Sequence, residues 1–333
     1  MDLSFDAVYY EPACLKYELG QLLRDTYAAL PWHEIESHNR IAEFSGAQNR
    51  DFPLLKKHLV LGVRKTHNYV PNHKVSDWLV PYTSSGCRAM CLYCYLVCNY
   101  NKCAYLRLFV NREEMMEKLL RRDACAERPE TYEIGSNSDL VLENEVTGNL
   151  PWTIECFAKA GRGKLTFPTK FDMVEPLLSL DHRGKTIFRM SVNPEETIRK
   201  VELGTSPLGA RIKALNEMHA VGYPIGILIA PVILTPDWKA LYGALVERLA
   251  DELGEGVKRG GFIEIILMTY SYVHNAINRE AFPNAPSPYD PALMIGRGRG
   301  KYRYRDEVRR EAEAYLRDKL AHCLGGMPIL YVS

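Results

Sequence analysis

Trp78-Leu79-Val80-Pro81-Tyr82-Thr83-Ser84-Ser85-Gly86-Cys87-Arg88-Ala89-Met90-Cys91-Leu92-Tyr93-Cys94 is the stretch whose reading decides the fold. Its first five residues, rich in bulky apolar and aromatic side chains, read as a buried strand. Gly86 then frees the backbone to turn, and three cysteines follow at the spacing Cys-x3-Cys-x2-Cys. A strand that runs straight into a loop dense in metal-ligating side chains fits α/β proteins, which build their sites beyond the carboxyl ends of parallel strands.

The same alternation continues downstream. Residues 131–135, 164–167, 186–191, 225–229 and 262–268 read as further strands, with amphipathic helical stretches such as 112–122 and 238–253 between them. The expected fold is α/β, a partial (β/α)6 TIM-like barrel short of the closed eight-stranded one. Residues 1–75 form an N-terminal extension with its own strand candidate, Leu59-Val60-Leu61-Gly62-Val63. Residues 76–282 form the barrel, and 283–333 form a C-terminal extension. Four prolines between 283 and 291 forbid a helix there, and a last helix is expected over 307–324.

Composition narrows the function classes. No apolar run approaches the roughly 18 or more residues that a membrane span needs, so no membrane partner is expected. The N-terminal Met1-Asp2-Leu3-Ser4-Phe5-Asp6 has no basic start or apolar core of a secretory signal, which makes a reducing cytoplasm the default compartment. A net charge of +1 argues against indiscriminate nucleic-acid binding and leaves room for a local basic patch. Residues 297–310 are such a patch, with seven basic residues against two acidic ones. A solvated loop and helix start fits it as well as a phosphate-binding strip does.

Five of the nine cysteines fall between 87 and 103, namely Cys87, Cys91, Cys94, Cys98 and Cys103. Such clustering points to a metal. A structural zinc would draw on two separated pairs, with Cys98 or Cys103 completing the set. Spare thiols are the blandest reading. Three thiolates crowded on one short loop favour an iron–sulfur cluster, because three protein ligands leave one iron open to chelate an amino and a carboxylate group.

The cysteine spacing with Tyr93 before the last cysteine resembles the radical S-adenosylmethionine superfamily. A narrower resemblance, covering most of the chain, is to the spore photoproduct lyase family. It rests on Tyr10-Glu11-Pro12, Ser37-His38-Asn39-Arg40, Leu61-Gly62-Val63-Arg64-Lys65, Cys91-Leu92-Tyr93-Cys94-Tyr95-Leu96, residues 105–111, Ser138-Asp139, Ser191-Val192-Asn193, Ala230-Pro231-Val232-Ile233 and Gly300-Lys301-Tyr302. The resemblance implies a radical SAM barrel holding a [4Fe-4S] cluster on Cys87, Cys91 and Cys94. It also implies S-adenosylmethionine (AdoMet) among Tyr93, Ser138, Asp139, Lys170, Ser191, Asn193 and Ala230, and an electron from a reductant such as flavodoxin or ferredoxin. In that family the reduced cluster cleaves AdoMet to a 5′-deoxyadenosyl radical, which takes a hydrogen from a thymine photoproduct in DNA so that the lesion splits. Tyr95 is given the relay of a hydrogen atom or electron. Arg299, Lys301, Tyr302 and Tyr304 suit contact with phosphate and an extruded base. Without the resemblance, Ser138 and Ser191 read as ordinary strand-end or capping serines, and Tyr93 and Tyr95 as packing tyrosines.

Two departures fall on the substrate side. Where the family carries a cysteine that quenches the product radical with its S–H hydrogen, this chain has Ser136, in Gly135-Ser136-Asn137-Ser138-Asp139, and a serine O–H bond is much stronger. Where the family has a Thr-His-Arg-Phe-Thr run, this chain has Thr269-Tyr270-Ser271-Tyr272-Val273. The expectation is retained AdoMet cleavage with altered or weak repair, and Cys98, Cys103, Cys125 and Cys156 are candidate replacement donors. Two alternatives stand beside it: a radical enzyme on another nucleobase, nucleoside or peptide, and a non-catalytic DNA-binding iron–sulfur protein.

Overall fold

A computed structural model describes Ser4–Val80, Tyr82–Cys94, Leu96 and Tyr105–Ser333. Tyr95, Cys98 and Cys103 lie outside the described residues. Internal contacts divide the chain into two units, one comprising Met1–Arg88, Leu96–Phe167 and Leu180–Thr186, the other Ala89–Tyr95, Pro168–Ser179 and Ile187–Ser333.

In the first unit, strands Trp32–Glu34, Ala7–Tyr10, His58–Gly62 and Leu106–Phe109 pair in parallel in that order, and Ser84–Ser85 closes the edge antiparallel. The two faces of this sheet are read from the period-two alternation of its side chains. Val8, Leu59, Leu61, Leu106 and Leu108 join one buried cluster, while Ala7, Tyr9 and Val60 join the other. Both faces are therefore covered, as parallel strands require.

The same unit carries the barrel strands β1 (Trp78–Leu79), β2 (Thr131–Glu133) and all but the last two residues of β3 (Lys164–Thr169), parallel and in register through Trp78, Tyr132 and Leu165. Strand β1 is shorter than the sequence implied. The Val80 amide still donates to Glu133 O at 2.8 Å, after which Pro81 has no amide hydrogen to give. Helix Arg112–Cys125 follows β1, burying Met115, Met116 and Leu119; helices Leu140–Thr147 and Asn149–Ala160 follow β2.

The second unit holds the parallel run β4 (Thr186–Val192), β5 (Ile225–Val232) and β6 (Phe262–Leu267), extended by Ile329–Val332 beside β6. Every residue of β4 is buried. All six expected strands form, each with ends within a few residues of the sequence reading, and helices Glu195–Val201, Leu208–Ala220 and Trp238–Glu252 intervene as the alternation required. The β3-to-β4 connection carries only the short turn Glu175–Leu177. After β6, Thr269–Ser271, Lys301–Tyr304 and Met294–Gly296 make a three-stranded antiparallel sheet, and Asp306–Leu324 is the expected last helix. Among the described residues no helix is long and apolar enough to cross a membrane.

Candidate active site

The backbone at the start of the cysteine loop admits only glycine. Gly86 has φ +84°, and a Cβ there would stand 2.3 Å from Tyr105 O. Its amide donates to Asn137 O at 2.9 Å. Just upstream, Thr83 and Ser84 donate their hydroxyls to Glu143 Oε2 at 3.0 and 2.7 Å. Burial pushes the Glu143 carboxyl up, and its hydroxyl and amide donors offset this only in part. Cys87, Cys91 and Cys94 are in no disulfide and are neither fully buried nor fully exposed. Among the described residues no three His, Cys, Asp or Glu side chains stand together as a metal-holding group, so the fit to a cluster rests on the donor chemistry of three cysteines, none in a disulfide, within one short stretch of chain.

The rest of that loop belongs to the second unit. Met90–Cys91 pairs antiparallel with Glu202–Leu203, Cys91 lying opposite Glu202, and the Leu92 amide donates to Val201 O at 2.9 Å. Leu92 O accepts from Asn278 Nδ2 at 2.6 Å and Tyr289 Oη at 3.3 Å. His274 Nε2 lies 2.7 Å from Cys94 O, and burial lowers the pKa of this imidazole; a neutral ring donating from Nε2 satisfies the carbonyl.

At the C-terminal ends of β4 and β5 the sequence-predicted residues form a connected set. Lys170 Nζ donates to Ser191 Oγ at 2.9 Å and lies 5.8 Å from the centre of the Tyr93 ring. Ser191 Oγ donates in turn to Ala230 O at 2.8 Å, which also accepts from Asn193 Nδ2 at 3.2 Å. Asn193 Nδ2 and Tyr93 Oη both donate to Glu202 Oε1, at 2.8 and 2.5 Å. Arg211 Nη2 donates to Glu202 Oε2 at 2.6 Å, and neither side chain of that ion pair has exposed surface. Burial works against the Glu202 charge, yet Arg211, Lys170 and the Tyr93 and Asn193 donors outweigh it and hold the carboxyl below its ordinary range. Tyr93 is pushed well above the ordinary tyrosine value by burial and by the Glu202 charge.

In the first unit, Ser136, Ser138 and Asp139 lie between β2 and helix Leu140–Thr147. Asp139 caps that helix, accepting from the Leu142 amide at 3.2 Å. Ser138 Oγ is buried and has no hydrogen-bond partner, an orphaned polar atom of the kind that awaits a ligand. Ser136 is half-buried.

The basic segment is a turn over residues 297–300, the strand Lys301–Tyr304 and the start of the last helix. Arg299, Lys301 and Tyr302 are exposed, Arg303 pairs with Asp306, and Tyr302 lies against Tyr270 with ring centres 5.4 Å apart. Tyr304 is a correction to the expected base contact: it is 1 % exposed, and its hydroxyl accepts from the Leu234 amide at 2.9 Å. Ser271, which stands where an arginine was expected, caps helix Tyr272–Ala281 by accepting from the His274 amide. Of the candidate replacement donors, Cys125 is exposed, whereas Cys156 is half-buried and its thiol pKa is raised by burial.

A family model described as spore photoproduct lyase matches residues 3–333. The chain belongs to the spore photoproduct lyase family. Relatives of that name from Bacillus subtilis (strain 168) and Geobacillus sp. (strain Y412MC61) are 33 % and 31 % identical to it, covering 93 % and 98 % of this chain and 94 % and 98 % of their own. Among solved structures, a spore photoproduct lyase complexed with dinucleoside spore photoproduct matches with a TM-score of 0.92 at 27 % identity over 100 % of both chains. A mutant spore photoproduct lyase with bound AdoMet and dinucleoside spore photoproduct matches at 0.91 and 27 % over 99 % of each chain. The fold is thus the partial (β/α)6 barrel of the radical SAM lyases.

Sequence reasoning missed four residues of this lyase framework: Glu143, Glu202, Arg211 and Tyr242, whose hydroxyl donates to Asn193 Oδ1 at 3.1 Å. Nothing local marks them. Glu202 and Arg211 flank a Gly-Thr-Ser-Pro turn and read as solvated charges until the short antiparallel ladder buries them.

Proposed function

We propose that this chain is a radical AdoMet lyase acting on a thymine photoproduct in DNA, with Cys87, Cys91 and Cys94 as ligands of a [4Fe-4S] cluster. When bound, the cluster and AdoMet supply a one-electron reductive cleavage that yields a 5′-deoxyadenosyl radical. A small reductant of the flavodoxin or ferredoxin kind provides the electron. The protein's residues bind and orient. Lys170 offers a cation to the AdoMet carboxylate, Asp139 offers an acceptor for its amino or ribose groups, and Ser138 offers a free hydroxyl. Tyr93, Ser191, Asn193 and Ala230 are given to the same cofactor, and Tyr95 to the relay of a hydrogen atom or electron. The observation that supports this best is the Lys170 ammonium held by Ser191 beside the face of Tyr93, a cation set next to the loop that carries Cys91 and Cys94.

Residues 283–333 are the proposed DNA-contacting extension, with Arg299 and Lys301 on phosphate and Tyr302 against a base. None of the seven described cysteines is in a disulfide, which suits a cytoplasmic protein. Ser136 stands where the quenching cysteine is expected, so the lesion is opened and the product radical is poorly quenched.

The test is anaerobic reconstitution with iron and sulfide, reduction, and assay on dinucleoside spore photoproduct. The expected result is 5′-deoxyadenosine release with a low yield of repaired thymine, and a higher yield per 5′-deoxyadenosine in Ser136→Cys. A protein that builds no cluster or releases no 5′-deoxyadenosine refutes the radical assignment. A yield unchanged in Ser136→Cys refutes the role given to Ser136.

A further inference from the structure

We infer that Glu202 is a positioning residue that fixes the cluster loop and the AdoMet-facing ends of β4 and β5 in one hydrogen-bonded frame. The inference rests on the assignment of Tyr93, Ser191, Asn193 and Ala230 to the AdoMet site. The backbone of Glu202 is laddered to Cys91, and its side chain reaches Tyr93, two residues further along the same loop. The same Oε1 accepts from Asn193 Nδ2, which also donates to Ala230 O, while Asn193 Oδ1 accepts from Tyr242 Oη. With acceptors on its nitrogen side and a donor on its oxygen side, the Asn193 amide has one orientation. The other carboxylate oxygen takes Arg211, whose Nη1 donates to Ser191 O at 2.9 Å and whose Nε donates to Ser206 O at 2.8 Å. One carboxylate therefore sets the tilt of the Tyr93 ring, the facing of the Asn193 amide and the backbone at Ser191.

Glu202→Gln separates this role from simple packing. Gln is nearly the same size, and the buried Arg211 guanidinium claims its one carbonyl oxygen. Its NH2 group is then turned on the Asn193 NH2, a donor facing a donor with no water between. Tyr93 Oη can rotate its hydrogen to accept; Asn193 cannot, because Ala230 O and Tyr242 Oη hold it.

The experiment compares wild type, Glu202→Gln and Tyr93→Phe after reconstitution. It measures iron and sulfide content, melting temperature, AdoMet affinity by equilibrium dialysis, the electron paramagnetic resonance spectrum of the reduced cluster with and without AdoMet, and KM against kcat for 5′-deoxyadenosine release. The expected result is a wild-type iron content in both variants. AdoMet binding weakens about tenfold in Glu202→Gln, a loss carried by KM rather than kcat, with a smaller loss in Tyr93→Phe. The spectral change on adding AdoMet is reduced in the same order. Unchanged affinity and an unchanged AdoMet-induced spectral change in both variants overturn the inference, even if melting temperature falls. If Glu202→Gln does not fold, Tyr93→Phe decides alone, since it deletes one hydroxyl and leaves the Glu202–Arg211 pair intact. A wild-type protein that fails to bind AdoMet overturns the functional assignment itself, and is recognised as such because it precedes any variant.

Discussion

Replacing Gly86 by alanine should cost the protein its cluster as well as its stability. Two contributions add. A residue with a Cβ at φ +84° pays about 1–2 kcal/mol for the left-handed region. The Cβ itself would lie 2.3 Å from Tyr105 O, a backbone atom that cannot swing aside as a side-chain tip can, and forcing extra bulk into a packed site adds about 1–3 kcal/mol. The sum, about 2–5 kcal/mol, corresponds to a fall of about 3–7 °C in melting temperature for a chain of this length. Gly148 is the control, because it also has positive φ, +60°, yet nothing lies within 4 Å of its would-be Cβ. Gly148→Ala should therefore show the conformational cost alone, about 1–2 kcal/mol, and load iron normally. The assays are thermal melts of the unloaded proteins and iron and sulfide content after anaerobic reconstitution. Gly86→Ala must shift the strand-edge backbone that leads into Cys87, so its iron content should drop with its stability. If Gly86→Ala melts with Gly148→Ala and takes up a full cluster, the reasoning from the Tyr105 contact is wrong.

Two further outcomes follow from groups elsewhere in the chain. Burial opposes charge on Glu11, but the His38 and Val63 amides and the His38 ring outweigh it and hold its carboxyl low, while burial lowers the pKa of His38 despite Glu11. Both shifts have one sign: the unfolded chain takes up protons first, so stability should decline as pH falls from the ordinary histidine range through the carboxylate range. Thermal melts across that span should show a shallower acid limb in Glu11→Gln, and parallel curves would refute the assignment. On the exposed turn and strand, Arg299→Ala with Lys301→Ala should lower the slope of log K against log salt for DNA by about 1–2. An unchanged salt slope, measured by titration at several salt concentrations, would show that these cations meet no phosphate.

Much of this was legible in the sequence. Strand β4 announced itself by a run of residues suited to burial on both faces, and the cysteine spacing by its rarity. What was not legible is where separate motifs meet. Glu11, His38 and Val63 come from three of the segments behind the family resemblance, yet only folding shows them as one corner: Glu11 Oε1 lies 2.8 Å from His38 Nδ1, and Glu11 Oε2 accepts from the Val63 amide at 3.0 Å. A Cβ on Gly62 would lie 2.5 Å from the His38 ring, which accounts for the glycine beside that motif. Tyr304 misled for a different reason. Tyr302 and Tyr304 share a strand face by alternation, but burial deepens along the strand, and position along it decides which ring is exposed. Glu202 and Arg211 were invisible because a buried ion pair differs from two solvated charges only in its surroundings, and a two-residue ladder supplies those surroundings.

That ladder also bears on how such an enzyme can change. Cys91 is tied to Glu202 in one unit, whereas Ser136 follows β2 in the other, and the hydrogen bonds described above for Tyr93, Asn193 and Arg211 end on other residues. On the roles proposed above, starting the radical and ending it would be specified by separate stretches of gene. Serine and cysteine codons can differ by one base, so a lineage can trade its quencher without disturbing its igniter, and chains like this one can explore new outcomes from an intact first step.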